Sequence, residues 1–251
     1  MPEPLIRARQ IGKTFKFEKG EIQALRAVNL DIPEGAFTCL IGPSGCGKSS
    51  LLRILSGLDQ PTQGTVQQTK DFVQTMIFQS FALFPWLNVR ENVEFGLKMT
   101  GVSQSEREKR AENQLKVLGL SGFESKHPKE LSGGMKQRAG IARAFVLEPG
   151  LIWMDEPFSA LDAFTAETLR SDVLALWKKN KMTVVMVTHL VDEAVELADR
   201  VIVFSPRPGT VKKVIDIRLP RPRHKRDKAF YHYVDQIQAL IEEKPAERIQ
   251  F

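Results

Sequence analysis

Gly42, Pro43, Ser44, Gly45, Cys46, Gly47, Lys48 and Ser49 follow an apolar run of β type, Phe37 to Ile41, and precede a stretch of helical pattern. The spacing G-x-x-x-x-G-K-S in that setting makes a phosphate cradle. Glycines let backbone N–H groups approach phosphate oxygens, and a helix start favours their charge. Lys48 reaches the outer phosphates and the Ser49 hydroxyl suits Mg²⁺. Further along, the apolar run Leu151-Ile-Trp-Met ends in Asp155 and Glu156. Two carboxylates at a strand end can divide the work, Asp155 holding Mg²⁺ through water and Glu156 polarising an attacking water. Between these motifs, Leu131 to Arg138 reads Leu-Ser-Gly-Gly-Met-Lys-Gln-Arg. Ser132, Gly133 and Gly134 open a helix running to about Leu147, and its unbonded N–H groups with the Ser132 hydroxyl form an anion site of their own. A second phosphate contact of this kind is one a molecule cannot make to its own nucleotide, so two copies are expected to share the ATP.

Other residues gain meaning from this setting. His189 follows the apolar strand Val184 to Thr188 and stands either as a satisfied loop residue or as a γ-phosphate contact at the carboxyl edge of a sheet, where ligands of open α/β sheets gather. Gln79 ends Met76-Ile-Phe78 and alone reads as a surface amide. Cys46 sits near a helix start and Lys48, which favours its thiolate and predicts a thiol that nucleotide protects. Cys39, in an apolar strand, is expected to react slowly. The two cysteines lack metal-ligand spacing and read as free thiols.

These residues need elements to hold them. Leu5 to Ile11, Ala24 to Ile32 and Phe37 to Ile41 are β-type runs broken by Gly20 and Glu34-Gly35, a hairpin pattern. Ser49 to Leu58 reads as a helix ending at Gly57, and Phe72 to Phe78 as a strand. From Asn88 to Glu148 the pattern turns helical and polar, with a capping box at Ser103 to Glu106 and Pro128 as punctuation, an inserted helical subdomain. Beyond it, Leu151 to Met154, Thr183 to Val187 and Val201 to Phe204 are short apolar runs between helical patterns, as in a parallel sheet covered on both faces. The expected fold is α/β: a mostly parallel core sheet, an N-terminal antiparallel β subdomain and the helical insertion at about 88–148. An ATPase domain is expected over 1–229 and a helical tail over 230–251.

With 42% hydrophobic and 26% charged residues in 251, the chain has the composition of a globular protein with one substantial core. No apolar run approaches the roughly 20 residues that span a bilayer, and the start lacks a secretory signal, which predicts a cytoplasmic protein. The net charge is +6. Between Pro206 and Lys228 stand nine Lys or Arg against Asp216 and Asp227, a local balance of +7, so the remainder is near neutral. This Pro-rich segment reads first as a solvated surface tail, with partner or lipid-headgroup contact second and nucleic acid last, because a nucleic-acid face spreads its charge among aromatics.

Taken together, the ordered motifs resemble the nucleotide-binding subunits of ABC transporters over about Leu5 to Arg223. The resemblance implies ATP and Mg²⁺ as cofactors, with Phe15 stacking adenine (Phe17 as its substitute) and Gly42 to Ser50 around the phosphates. It further implies Gln79 as the lid glutamine and a metal contact, Leu131 to Gln137 as the signature, and Ser159-Ala-Leu-Asp162 as the loop crossing a dimer seam. Glu156, His189, Gln79 and Lys48 are the catalytic residues it implies. On this resemblance two subunits, identical or paralogous, are expected to pair head to tail on the cytoplasmic face of the membrane with two permease subunits and an extracytoplasmic binding protein, without nucleic acid. Leu190 departs from the acidic residue common in the family. Phe84 to Asn92, Asp192 to Arg200, Ser205-Pro-Arg-Pro-Gly209 and Leu219 to Arg223 resemble the nitrate, sulfonate and taurine importer branch. The chain ends too early for the regulatory domain of sugar importers. The rival readings are a soluble ABC ATPase acting on nucleic acid or ribosomes, and a nucleotide-switched regulator.

Overall fold

Strand β3 (Phe37–Ile41), β6 (Leu151–Asp155) and β7 (Thr183–Val187) are buried at every position. A strand covered on both faces has no polar side to present, which is why these stretches are continuous apolar runs rather than alternating ones. The computed structural model describes residues 4–242, and its contacts divide the chain into two units. The expectations for the first three residues and for 243–251 of the helical tail lie outside the described residues.

One unit comprises 1–5, 33–36 and 68–186. In it β5 (Gln74–Ile77) pairs in parallel with β6, Gln74 opposite Leu151 and Ile77 opposite Met154, and β7 follows β6 in strand order. Helices α2 (Val89–Met99), α3 (Gln104–Val117) and α4 (Gly133–Phe145) pack on one another, and α5 (Ala163–Asn180) follows the loop after β6. The insertion is therefore helical as read, but its complete capping box is elsewhere. Asn88 Oδ1 accepts from the Glu91 N–H at 2.8 Å while Glu91 Oε2 accepts from the Asn88 N–H at 2.8 Å. At Ser103 only the serine half forms, accepting from Glu106 N–H at 3.4 Å.

The other unit comprises 6–32, 37–67 and 187–251. Strands β1 (Pro4–Phe17) and β2 (Gly20–Pro33) are joined by two residues, too few for anything but an antiparallel hairpin, and β4 (Gln63–Gln68) completes a sheet of order β2-β1-β4. Helix α1 (Lys48–Leu55) follows the glycine-rich loop and stops before Gly57, whose φ is +79°. β8 (Arg200–Phe204) pairs in parallel with β3 and antiparallel with β9 (Val211–Asp216). Helices α6 (Val191–Leu197) and α7 (Lys228–Glu242) pack together.

The basic segment is not wholly a solvated tail: Arg207, Lys213, Arg218, Lys225, Arg226 and Lys228 are exposed as read, but others are built into the fold. Lys212 and Lys213 belong to β9. Arg223 donates to the carbonyls of Val195 and Ala198 at 2.6 Å each, Leu219 at 3.1 Å and Ile217 at 3.2 Å. Arg221 donates to Leu197 O and Asp199 Oδ1, both at 2.6 Å. The last carbonyls of a helix have no partner within it, and for α6 two guanidinium groups supply them. Burial, then the neighbouring Arg221 charge, pushes the Arg223 guanidinium down to about 10, so it remains a cation at neutral pH.

Candidate nucleotide site

The unit holding 42–49 also holds Phe15 and His189. No side chain caps α1, whose N-cap is Gly47, so its first turn keeps the donors an anion site requires. Lys48 is buried, and its Nζ donates to Gly42 O at 2.7 Å and Pro43 O at 2.9 Å, with Cys46 Sγ at 3.7 Å. Ser44 and Gly45 are exposed. Cys46 corrects the thiolate expectation. It is 1% exposed, and burial raises its thiol pKa against the lowering effect of Lys48. Spacing in sequence displays the charge of Lys48 but not the loss of solvent. Cys39 is wholly buried and pushed up further by the same cause. Both are free thiols, as read.

Phe15 is half-buried on β1, with Lys13 Nζ 5.2 Å from the ring centroid. Lys13 is itself tied to Asp59 Oδ1 at 2.7 Å and Gln60 O at 2.8 Å. Phe17 is 60% exposed. His189 is exposed on a turn set by two residues that sequence reasoning passed over. Thr188 Oγ1 donates to Glu193 Oε2 at 2.7 Å and accepts from the Leu190 N–H at 3.1 Å. A buried Thr-Glu pair spanning a strand-to-helix turn leaves no motif, only two polar letters five apart.

The other unit gathers Gln79, Ser132, Gly133, Gly134, Gln137, Asp155, Glu156 and Asp162. Asp155 ends β6 and is buried; Glu156 follows at φ +47°, with Ser159 donating to its carbonyl from N at 3.3 Å and from Oγ at 3.0 Å. Gln79 Nε2 lies 3.4 Å from Glu156 Oε2. Gln137 donates to Pro157 O through a short bond. Ser132 caps α4 through Met135 N–H at 3.3 Å, and Asp162 caps α5 through Thr165 N–H at 3.0 Å, a bond that holds the Asp162 carboxyl below its usual range. The two helix starts face one cavity of about 520 Å³ lined by Ser132, Gly133, Gly134, Asp162 and Thr165. Gly134 is required there by close approach, since a Cβ would lie 2.9 Å from Thr165 Cγ2.

A second cavity of about 440 Å³ in this unit is lined by Phe78, Phe84, Phe95 and Leu147. Asn92, fully buried, accepts from Phe84 N–H at 2.7 Å and donates to Phe84 O at 3.1 Å and Leu87 O at 3.0 Å, fixing the loop. Arg143 of α4 donates to Ala82 O at 2.6 Å and stands over the Phe84 ring at 5.6 Å. Trp86, 5.4 Å from Phe84, is 70% exposed.

A glycine-rich loop running from a buried strand into an uncapped helix defines the class, a phosphate-loop α/β protein. Comparison with known proteins narrows it. The family model described as ABC transporter matches residues 25–159. An uncharacterized ABC transporter ATP-binding protein of Methanocaldococcus jannaschii is 42% identical over 95% of this chain and 92% of its own length. The nitrate import ATP-binding protein NrtD of Synechocystis is 42% identical over 96% of each, and the aliphatic sulfonates import ATP-binding protein SsuB of Bacillus cereus 40% identical over 88% and 89%. A solved dimeric ATP-binding cassette in a post-hydrolysis state with ADP and phosphate superimposes with TM-score 0.76 at 36% identity, over 86% of this chain and all of that one. The chain belongs to the ABC transporter family. No helix among the described residues is long and apolar enough to cross a membrane.

Proposed function

We propose that the chain is the ATP-hydrolysing subunit of an ABC importer. It works as a dimer against two membrane subunits on the cytoplasmic face and takes up a small oxyanion or organosulfonate delivered by an external binding protein. The observation that carries this reading is similarity near 40% identity to a nitrate and a sulfonate import protein, each over most of the chain. Gly42 to Ser50 hold the phosphates, Phe15 stacks on adenine, and Ser132 to Gly134 meet the phosphates held by the second copy; Gln137, 2% exposed and bonded to Pro157 O, and the Asp162 carboxylate, which caps α5, are corrected from phosphate contacts to supports of the loop after Glu156 and of the α5 start. Ser49, Asp155 and Gln79 offer a hydroxyl, a carboxylate and an amide oxygen, hard donors that fit Mg²⁺, which when bound neutralises phosphate charge. Glu156 orients and deprotonates the attacking water, and His189 contacts the γ-phosphate. For the rival reading as a nucleic-acid ATPase, two of the segment's nine cations are already engaged, because Arg221 and Arg223 donate to backbone carbonyls and an aspartate within the fold.

Uptake in a deletion strain tests the proposal. Loss of uptake of labelled nitrate, taurine or an alkanesulfonate, restored by the parent gene but not by Lys48→Ala, is expected, since accumulation requires hydrolysis. Normal uptake of all three removes the assigned solute class.

The cavity at Phe84 is the proposed seat of a short helix of the membrane subunit, an apolar groove of the kind that receives amphipathic helices. Phe84→Ala with Trp86→Ala is expected to keep basal ATPase activity while co-purification with the membrane subunit falls severalfold. Undiminished co-purification removes this surface from the assembly.

A further inference from the structure

Gly209 ends the Ser205-Pro-Arg-Pro-Gly209 loop between β8 and β9 and lies outside the left-handed region, so backbone freedom does not explain the glycine. Its surroundings do. A Cβ at Gly209 would overlap the Cys46 carbonyl oxygen, lie 3.2 Å from the carbonyl carbon, and sit 3.4 Å from Leu25 Cδ2. The loop is stitched to β2, with Gly209 N–H donating to Ala24 O at 2.8 Å and Arg26 N–H donating to Gly209 O at 3.0 Å. It is also closed on itself, since Ser205 Oγ accepts from Thr210 N–H at 3.0 Å and lies 2.9 Å from Thr210 Oγ1. The same floor lies beneath Gly47, where a Cβ would meet Leu25 Cδ2 at 2.8 Å and Ala24 O at 2.9 Å. Under Gly42 the floor is Phe204, the last residue of β8, whose Cβ and carbonyl oxygen would each be 2.9 Å from an added Cβ. Three points of the phosphate loop thus rest on backbone or core side chains with no room for a methyl group.

We propose that the Ser205–Gly209 loop is a buttress that sets the position of the phosphate loop, with Gly209 as the positioning residue and its contact on the Cys46 carbonyl as the point of support. The proposal rests on the reading that Gly42 to Ser50 hold nucleotide. A loop whose N–H groups must meet phosphate oxygens tolerates little displacement, since a misplacement of about 1 Å can cost roughly 10²-fold in activity. Because Cys46 belongs to the supported segment and is 1% exposed, lifting the loop also uncovers its thiol, whereas Cys39, wholly buried in β3, reports on opening of the fold as a whole.

Gly209→Ala is therefore expected to raise the KM for ATP by about tenfold or more with a smaller change in kcat. A small maleimide, followed by peptide mass mapping, is expected to label Cys46 about tenfold faster while Cys39 stays at the parent rate. Ser205→Ala, which loosens the loop without adding an atom, should give the same signature at smaller size, and it decides the question if Gly209→Ala does not fold. A folded variant with the parent's KM and an inert Cys46 overturns the proposal, as does equal acceleration at both cysteines, which marks general destabilisation. Lys48→Ala separates the two levels. Unchanged ATP binding in that variant overturns the reading of the loop as the nucleotide site, while Cys46 and Cys39 labelling still decides the buttress.

Discussion

Glu156→Gln protein is expected to bind ATP, to hydrolyse it at least about 10²-fold more slowly than the parent, and to elute from size exclusion with MgATP as a dimer. General-base assistance is typically worth about 10² to 10⁴ in rate, and the amide removes the base while keeping its shape. The loop geometry should survive the change. Glutamine accepts the backbone at φ +47° on the same terms as glutamate, and the two bonds from Ser159 go to the main-chain carbonyl rather than the side chain. The Gln79 amide, 3.4 Å from the carboxylate, can still meet an amide oxygen. With nucleotide bound but not cleaved, whatever the triphosphate holds together stays together, so the dimer accumulates. A monomer under MgATP, or a rate near the parent's, removes Glu156 from the base role.

The second large effect is expected at Ser132, which lies far along the chain from residues 42–49. Ser132→Arg should lower hydrolysis by roughly 10²-fold or more, the scale of losing a preorganised donor from a transition state. The serine lines the cavity of about 520 Å³ with Gly134 and Asp162, and an arginine there would fill the space between the two helix starts. Loss of its cap on Met135 N–H costs about 1 kcal/mol of stability, too little to unfold a domain and readily followed by thermal melting. Mixed with Lys48→Ala protein, the variant should recover at most one intact composite site per dimer, because each substitution damages the opposite half. Normal hydrolysis by Ser132→Arg protein ends the shared-site reading.

How far the letters reach depends on whether burial is written in them. β3, β6 and β7 were legible because strands covered on both faces must be apolar throughout, and the glycine-rich loop because its spacing is set by phosphate geometry. β4, Gln63–Gln68, is mostly exposed and polar, and only pairing with β1 makes it a strand. β9 was hidden by Lys212 and Lys213 inside a run that charge alone describes as surface. The same run concealed the destinations of Arg221 and Arg223, because a sequence shows the donors but not the carbonyls of α6 that lack partners. At Cys46 the error had the opposite form: the nearby charge was visible and the missing water was not. The ordered motifs named the candidate residues. The supports around them leave no motif: Thr188 with Glu193 and Asn92 with its loop are single polar letters whose bonds no spacing announces, and Arg143 and Gly209 have partners distant in the chain.

The arginine pair at 221 and 223 also defines where this protein can be cut or joined. A segment rich in proline and charge invites truncation or fusion, as a linker would. Here the guanidinium of Arg223 meets five carbonyls, those of Val195, Glu196 and Ala198 at the end of α6 with Ile217 and Leu219, and Arg221 binds a sixth together with Asp199. These bonds are part-buried, so water replaces some of the lost donors, and each carbonyl left without one costs up to about 1 to 3 kcal/mol. A tag, reporter or tethered partner belongs after α7, and the smallest portable form of the protein must carry its second half at least through Arg223.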